Sequence, residues 1–588
     1  MSVIAIRMLY TTFLLTGMTS PVLLSPGCHS SQVGQHPPEL PRVYVDTSYV
    51  KPTGKTIKVA AGGDFQSALD KAQPGDVISL QAGSVYTGNF VLPEKSGSGW
   101  IIVQSSVAGT GLPPAGKRVG PSDATDMPKL EATSGSVLEA APGASHYRLI
   151  GIEIRPGVAQ SSAVHQALNW LQGKISGDVT TQAATSPPKA AFLENLVSLG
   201  SDATSIDSLP DHIIFDRCYI HGDATVGARR GIAMNGRNVA VIDSYLSDFK
   251  EVGADSQAIL AWNSPGPFKI VNNYLEASGE NVMFGGQDPN IPELVPSDIE
   301  IRGNYFAKPL TWKADDPTYQ GTPWSVKNLF ELKNASRVLV DGNLFEYNWA
   351  QSQDGFAILF TVRDQDGTAP WSVVSDVIFT DNVIRHVADG VNILGEDNDY
   401  KSQQAQRILI DNNLFDDVGG VWGSGTLLLI GNGADDVSFI HNTALQTGTI
   451  VFGDGNADQN FTFMDNITPN NQYGIIGSNT GVGKQTIAHY FPGGEVKKNV
   501  IVDGSAEAYP PDNYFPKSID AVRFVDLSSH DYRLSGSSPY RHKAEDGSDI
   551  GISMDELCAE LSSSGQQLTD SISSCHDSQS GKTVRNSI

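Results

Sequence analysis

The 588-residue chain carries 65 Asp and Glu against 40 Lys and Arg, a formal net charge of −25, so its average field repels nucleic acid and anionic membrane surfaces. A hydrophobic content of 40%, 59 glycines and 18% charged residues describe a folded, turn-rich chain and exclude a disordered one. Length alone suggests several domains, but that prior fails for solenoids, in which one core lengthens by added repeats.

In chain order, residues 1–28 come first. They combine Arg7, an apolar run and small residues before Cys28, and read as an export signal. The end of this segment resembles a bacterial lipoprotein signal, except that Leu24 lies four residues before Cys28 rather than three, with Ser25 in the expected place. Cys28 is therefore either a lipid anchor or a residue beside a simple cleavage site. The expected location is extracellular, periplasmic or on the outer-membrane or cell surface. No later segment approaches a membrane span.

Residues 29–54 read as a linker, and 55–563 as one domain. The stretch DFQSALDKAQPGDVISLQAG offers a short amphipathic helix with Asp64 as its N-cap, followed by a strand, which together form a cap over the first repeat. Residues 156–190 lack the repeat and read as an inserted loop.

From residue 212 a strand pattern recurs: HIIFDRCYI, NVAVIDSYL, PFKIVNNYL, DIEIRGNYF, RVLVDGNLF, DVIFTDNVI, RILIDNNLF, DVSFIHNTA and NFTFMDNIT. One turn position is filled in order by Cys218, Ser244, Asn273, Asn304, Asn343, Asn382, Asn413, Asn442 and Asn466, at intervals of 24 to 39 residues. A second, more apolar strand lies between successive copies. Two short strands per repeat, without helical periodicity, predict an all-β, right-handed parallel β-helix solenoid. The Asn column is expected to form an internal hydrogen-bonded ladder rather than a catalytic group.

Strand alternation then selects the outward side chains. In NLFELKN, Phe330 and Leu332 take the core, while Glu331 and Lys333 share the outer face. One coil later Arg363 points out beside Lys333. Neighbouring coils add Asn235, Trp262 and Asn392, with Glu396 and Asp397 just past a strand end. Trp262 is the best placed aromatic to stack on a sugar. His221, Arg229 and Arg230 stand before another strand, where an Arg pair holds a carboxylate or sulfate and His221 shuttles a proton. The opposing account is that these charges pair across coils and keep the face soluble.

The C-terminal part, DYRLSGSSPYRHKAEDGSDIGISMDELCAELS, is expected to close the last coil, and 564–588 to form a polar, disordered tail. Of the four cysteines, Cys218 falls in a repeat strand, Cys558 and Cys575 are free to pair after export, and no metal-thiolate spacing occurs.

PGDVISLQAGSVYTGNFVLP, the Asn-column strands and DYRLSGSSPYR resemble the secreted parallel β-helix proteins of the pectin-lyase-like superfamily, whose opening strands are shared by chondroitinase B-like alginate lyases. That resemblance implies a carbohydrate partner, and among its lyases a Lys base, an Arg and, in part, Ca²⁺ held by Asn and Glu. Here the matching residues are Lys333 as base, Arg363 facing the sugar carboxylate and Glu331 as a Ca²⁺ ligand, although the spacing differs and a second clustered glutamate is missing. Glu396 and Asp397 are the further expected ligands. The expected activity is β-elimination of a uronic-acid polysaccharide by a monomer. The alternatives are a non-catalytic carbohydrate-binding protein and a glycoside hydrolase, the latter without the Gly-His-Gly and Arg-Ile-Lys segments of polygalacturonases.

Overall fold

A computed structural model describes residues 36–158, 189–563 and Cys575. The export signal, Cys28, most of the 156–190 insertion and the polar tail fall outside these residues. Three parallel sheets of 14, 13 and 12 strands run the length of the chain, each strand bonded to its counterpart one coil earlier and one coil later. The chain is therefore the expected parallel β-helix.

Each coil has three strands rather than two. The stretch HIIFDRCYI bends at its centre into Asp211–Asp216, in the 14-stranded sheet, and Tyr219–His221, in the 13-stranded sheet. The bend has a local cause. The residue before each ladder position is left-handed, as at Asp381 (φ 54°), Asn412 (φ 54°) and Asp465 (φ 58°), and Gly303 and Gly342 fill the same place in two further coils. Asp, Asn and Gly tolerate that conformation at least cost.

The ladder forms as expected. The Asn343 N–H donates to Asn382 Oδ1 at 2.9 Å, the Asn382 N–H to Asn413 Oδ1 at 2.9 Å and the Asn413 N–H to Asn442 Oδ1 at 2.9 Å. It continues beyond the expected column through Asn499 and Asn513. Each side chain also ties the corner to the preceding coil, as when Asn382 Nδ2 donates to the Val340 carbonyl at 3.0 Å. Asn382→Leu strands buried partners on two coils, each costing about 1–3 kcal/mol. A fall of about 3 kcal/mol or more in unfolding free energy is therefore expected from urea titration. A loss under about 1 kcal/mol would show that the ladder adds little.

Inside the coils run apolar files, including a phenylalanine stack in which Phe306 lies 4.4 Å from Phe345 and Phe345 lies 5.6 Å from Phe379. Helix α1 (Phe65–Lys71) covers the first coil. Asp64 caps it through the Ser67 N–H at 2.9 Å, and Phe65, Ala68 and Leu69 are buried. At the other end, Tyr490 and Phe491, from and just beyond helix α2 (Lys484–Tyr490), join the core with Tyr509.

The C-terminal segment covers the last coils, where Tyr540, Ala544 and Ile550 pack with Ile467, Val500 and Val502, but its final helix does not. Helix α3 (Met554–Ser563) lies on the flank, where Leu557 and Leu561 pack with Leu344, Val383 and Leu414 of three successive coils. An Arg302–Glu560 ion pair of 3.0 Å ties it to the solenoid, and a Cys558–Cys575 disulfide joins it to the residue that follows in the same apolar cluster. This flank offers an apolar column that the helix's own apolar stripe covers.

Residues 36–54, read as a linker, hold the solenoid from outside. The Glu39 N–H donates to Asp376 Oδ1, the Arg42 N–H donates to Asp298 Oδ1, Val45 packs on Ile214 and Ala240, and the Thr47 and Ser48 carbonyls accept from Arg148. Six strand spacings separate Arg148 from Asp376 in the 14-stranded sheet. At about 4.8 Å each, they match the reach of the extended chain from Glu39 to Ser48.

Candidate functional site

The outward face of the 12-stranded sheet carries the expected cluster. Register pairs Glu331 with Met283 and with Leu359, and Leu359 with Asn392, so these side chains form one column on successive coils. Lys333 follows two residues after Glu331. Glu331, Lys333, Arg363 and Asn392 line a single cavity of about 370 Å³, together with Phe356, Leu359 and Thr361. Gln353 and Asp354 complete the wall from the loop preceding the strand Phe356–Thr361.

Within the cavity Glu331, Lys333 and Arg363 each have a partner. Lys333 Nζ lies 3.7 Å from Glu331 Oε1. Asn328 Nδ2 donates to Glu331 Oε2 at 3.0 Å, and Thr361 Oγ1 to Oε1 at 3.4 Å. Glu331 is 2% exposed, so it is a fixed feature of the wall rather than a mobile surface acid. Arg363 donates to Asp397 Oδ1 at 2.7 Å, and the Asp364 N–H to Asp397 Oδ2 at 2.8 Å. Burial alone would push the Asp397 carboxyl up, but the hydrogen bonds from the Asp399 N–H, Arg363 and the Asp364 N–H outweigh it and hold the group below the usual carboxylate range. Asp397 therefore holds the guanidinium in place.

A polar file continues upstream on the same face. Arg230 Nε donates to Gln257 Oε1 at 2.9 Å, Gln257 Nε2 to Glu280 Oε2 at 2.7 Å, and Lys327 Nζ lies 3.5 Å from Glu280 Oε1. Burial and then the Glu331 charge push the Glu280 carboxyl up.

Other expected site residues lie elsewhere. Trp262 does leave the core side, yet it is only 5% exposed and packs with Ala233, Leu260 and Met283, so it offers no open ring face. Asn235 is wholly buried. Its Oδ1 accepts from the Trp262 and Asn263 N–H groups at 2.9 and 2.8 Å, making it a corner brace. Arg229 and Arg230 both reach Glu194 Oε1, at 2.7 and 3.0 Å, and stand three coils from Glu331. His221 belongs to the 13-stranded sheet, stacked on Tyr219 at 4.1 Å with Nε2 3.3 Å from Glu153. Alternation marks which residues leave the core but not which of them a neighbour covers.

The expected Ca²⁺ ligands do not gather into a cage. Glu331 is held by Asn328 and Thr361, Asp397 by Arg363 and backbone, and Glu396 is exposed and outside the cavity lining. Among the described residues no group of three or more His, Cys, Asp or Glu side chains is arranged to hold an ion.

Asp354, Gln353 and Phe356 were not singled out from sequence. Their one available signal was position, since the residues just before an outward strand border whatever that strand presents. Asp354 also raises the nearby Asp389, whose carboxyl is pushed up to about 6, mainly by burial, against hydrogen bonds from Ser424 and Thr426.

No protein-family model and no curated protein matches the chain. Among solved structures, a mannuronic acid specific family 6 polysaccharide lyase from human gut microbiota aligns at 13% identity and a TM-score of 0.47, covering 79% of this chain and 93% of that one. A pectate lyase aligns at 11% identity and 0.35, covering 85% and 96%. The catalytic unit of a GH87 alpha-1,3-glucanase from Streptomyces thermodiastaticus aligns at 10% and 0.44, covering 81% and 72%. At these values the likeness carries no functional argument. Among the described residues no helix is long and apolar enough to cross a membrane.

Proposed function

We propose that the protein is exported and acts on a polysaccharide containing uronic acid, cleaving it by β-elimination at the cavity of Lys333. The observation that carries this reading is the convergence of Lys333 and Arg363, from adjacent coils, on one open cavity of about 370 Å³ with an apolar floor of Phe356 and Leu359. Lys333, in its amine form, takes the proton from the carbon bearing the sugar carboxylate. The electron pair forms a carbon–carbon double bond, and the adjacent glycosidic carbon–oxygen bond breaks. The departing oxygen leaves with that bond's electrons and takes a proton from solvent water, and the Lys333 ammonium returns its proton to solvent to close the cycle. Arg363 faces the carboxylate and stabilises charge that develops on it, while Asp397 keeps the guanidinium aligned. Asn392 is placed to donate to a sugar hydroxyl.

The test is ultraviolet absorbance during incubation with alginate, pectate and dermatan. Absorbance from an unsaturated uronate supports the lyase reading and names its polymer. A flat trace across the panel, at protein concentrations that retain the polymer in an affinity gel, would overturn it in favour of a binding protein. That second reading has its own support, because Lys333 and Arg363 each already sit beside a carboxylate.

A further inference from the structure

One surface cluster is not absorbed by the cavity. Tyr347 and His386 occupy equivalent places on successive coils, both left-handed (φ 64° and 56°), so both rings stand out from the same edge. They stack 5.3 Å apart at 14°, close to the spacing between coils. Trp422 leans against both, 5.7 Å from Tyr347 and 5.6 Å from His386. In the third coil Asp417, again left-handed, fixes the pair: Trp422 Nε1 donates to Asp417 Oδ2 at 2.7 Å, and His386 Nδ1 lies 2.8 Å from the same oxygen. Tyr347 rests on a buried foundation of Trp312, Trp324 and Trp349.

A cluster serving only as packing would be covered. Here His386 keeps 30% and Asp417 50% of their side-chain surface, and Trp422 itself is half-buried rather than covered. One carboxylate orienting two rings toward solvent describes a preorganised platform.

The platform adjoins the cavity. Its loop carries Gly423, and the cavity loop ends at Gly355; a Cβ at either position would collide with Ala388 at 2.4 or 2.5 Å, so both loops press on one residue. Ser424, two residues after Trp422, donates to Asp389, which the cavity residue Asp354 influences.

We propose that Tyr347, His386 and Trp422 form a second saccharide subsite, which stacks a pyranose ring of the same polysaccharide whose reacting unit occupies the Lys333 cavity. Trp422 supplies the apolar face, and the free surface of Asp417 accepts from sugar hydroxyls. The ring stacked there need not be acidic, because the exposed Asp417 carboxylate bonds Trp422 while the buried Lys313 Nζ lies 5.8 Å from its ring centroid, so the two charges offset. This rests on the polysaccharide reading above and extends it along the groove.

The test is affinity electrophoresis of the full chain in gels containing alginate, pectate, dermatan or xylan, alongside the absorbance assay. Trp422→Ala is expected to weaken retardation about fivefold, the middle of the range for an aromatic stacking contact, and Trp422→Phe to retain most of it. Circular dichroism should show both variants folded. Unchanged retardation of Trp422→Ala in every gel that retards the wild type would overturn the subsite while leaving the lyase reading standing. Loss of retardation with no unsaturated product in any case would support the subsite and sink the lyase. Failure of all four gels to retard the wild type would count against the subsite directly.

Discussion

Lys333→Ala is expected to lower the rate of unsaturated uronate formation by about 100- to 10,000-fold, the range for removing a general base. The solenoid should remain intact, because Lys333 lies on the outer face and the core positions are Phe330 and Leu332. Its removal leaves Glu331 with Asn328 and Thr361 as hydrogen-bond donors, so the buried carboxylate is not orphaned. Lys333→Arg is the sharper variant. It keeps a cation beside Glu331 but provides a guanidinium that does not give up its proton, and it should be as inactive as the alanine form. Turnover surviving in either variant would show that the base is another group. Loss of activity together with a collapsed unfolding midpoint would show that the residue is structural.

The second large effect concerns pH. Burial, first of all, pushes several carboxyls upward: Asp341, Asp458 and Asp465 to about 7, Asp381 to about 6, and Asp411 well above its usual value. Asp341, Asp381 and Asp411 stand on neighbouring coils beneath helix α3, whose Glu560 acts on the first two and Glu556 on the last two. For carboxyls raised in the folded state, stability is fully present below the unfolded value near 4 and is lost progressively as pH climbs from there through the folded values at 6 to 7. The opposite group includes Asp211, held at about 2 despite burial by bonds from His212 and Asn238, and Asp298, held low by Arg337 and the Arg42 N–H. Those contribute stability above about 4 that disappears only in stronger acid.

The urea midpoint is therefore expected to be highest near pH 4 to 5 and lower at pH 8. Each unit of raised pKa corresponds to about 1.4 kcal/mol, so a few such groups amount to several kcal/mol. Asp411→Asn should raise stability at pH 8, by less at pH 5, and change it little at pH 4. A profile that is flat or rising from pH 5 to 8 would refute this account.

How far the sequence could be read depended on what kind of contact makes each feature. The ladder was legible because every coil repeats the same corner, and nine copies of one position are visible without any structure. Lys333, Glu331, Arg363 and Asn392 were legible because alternation and register follow from the strand period. Trp262 and Asn235 were misjudged because the same rule ignores what lies above a strand. Trp422, in a glycine-rich loop without repeat register, carried no sequence signal at all. Its importance arises from Asp417 and His386, neighbours only in space.

By itself, then, the sequence determined the coil: its parallel stacking, its Asn corner, its amphipathic N-terminal cap and the outward column at Glu331. These are local or periodic, and a one-residue slip in any strand would turn its buried face to water. Tertiary structure alone decided that residues 36–50 strap six strand spacings, that helix α3 lies on the flank rather than over the end, and that Asp397 serves Arg363. Those outcomes come from single contacts between segments distant in the chain, such as Glu39 with Asp376 and Glu560 with Arg302. A contact made once leaves no period to read, and its partners become neighbours only after the coils have stacked.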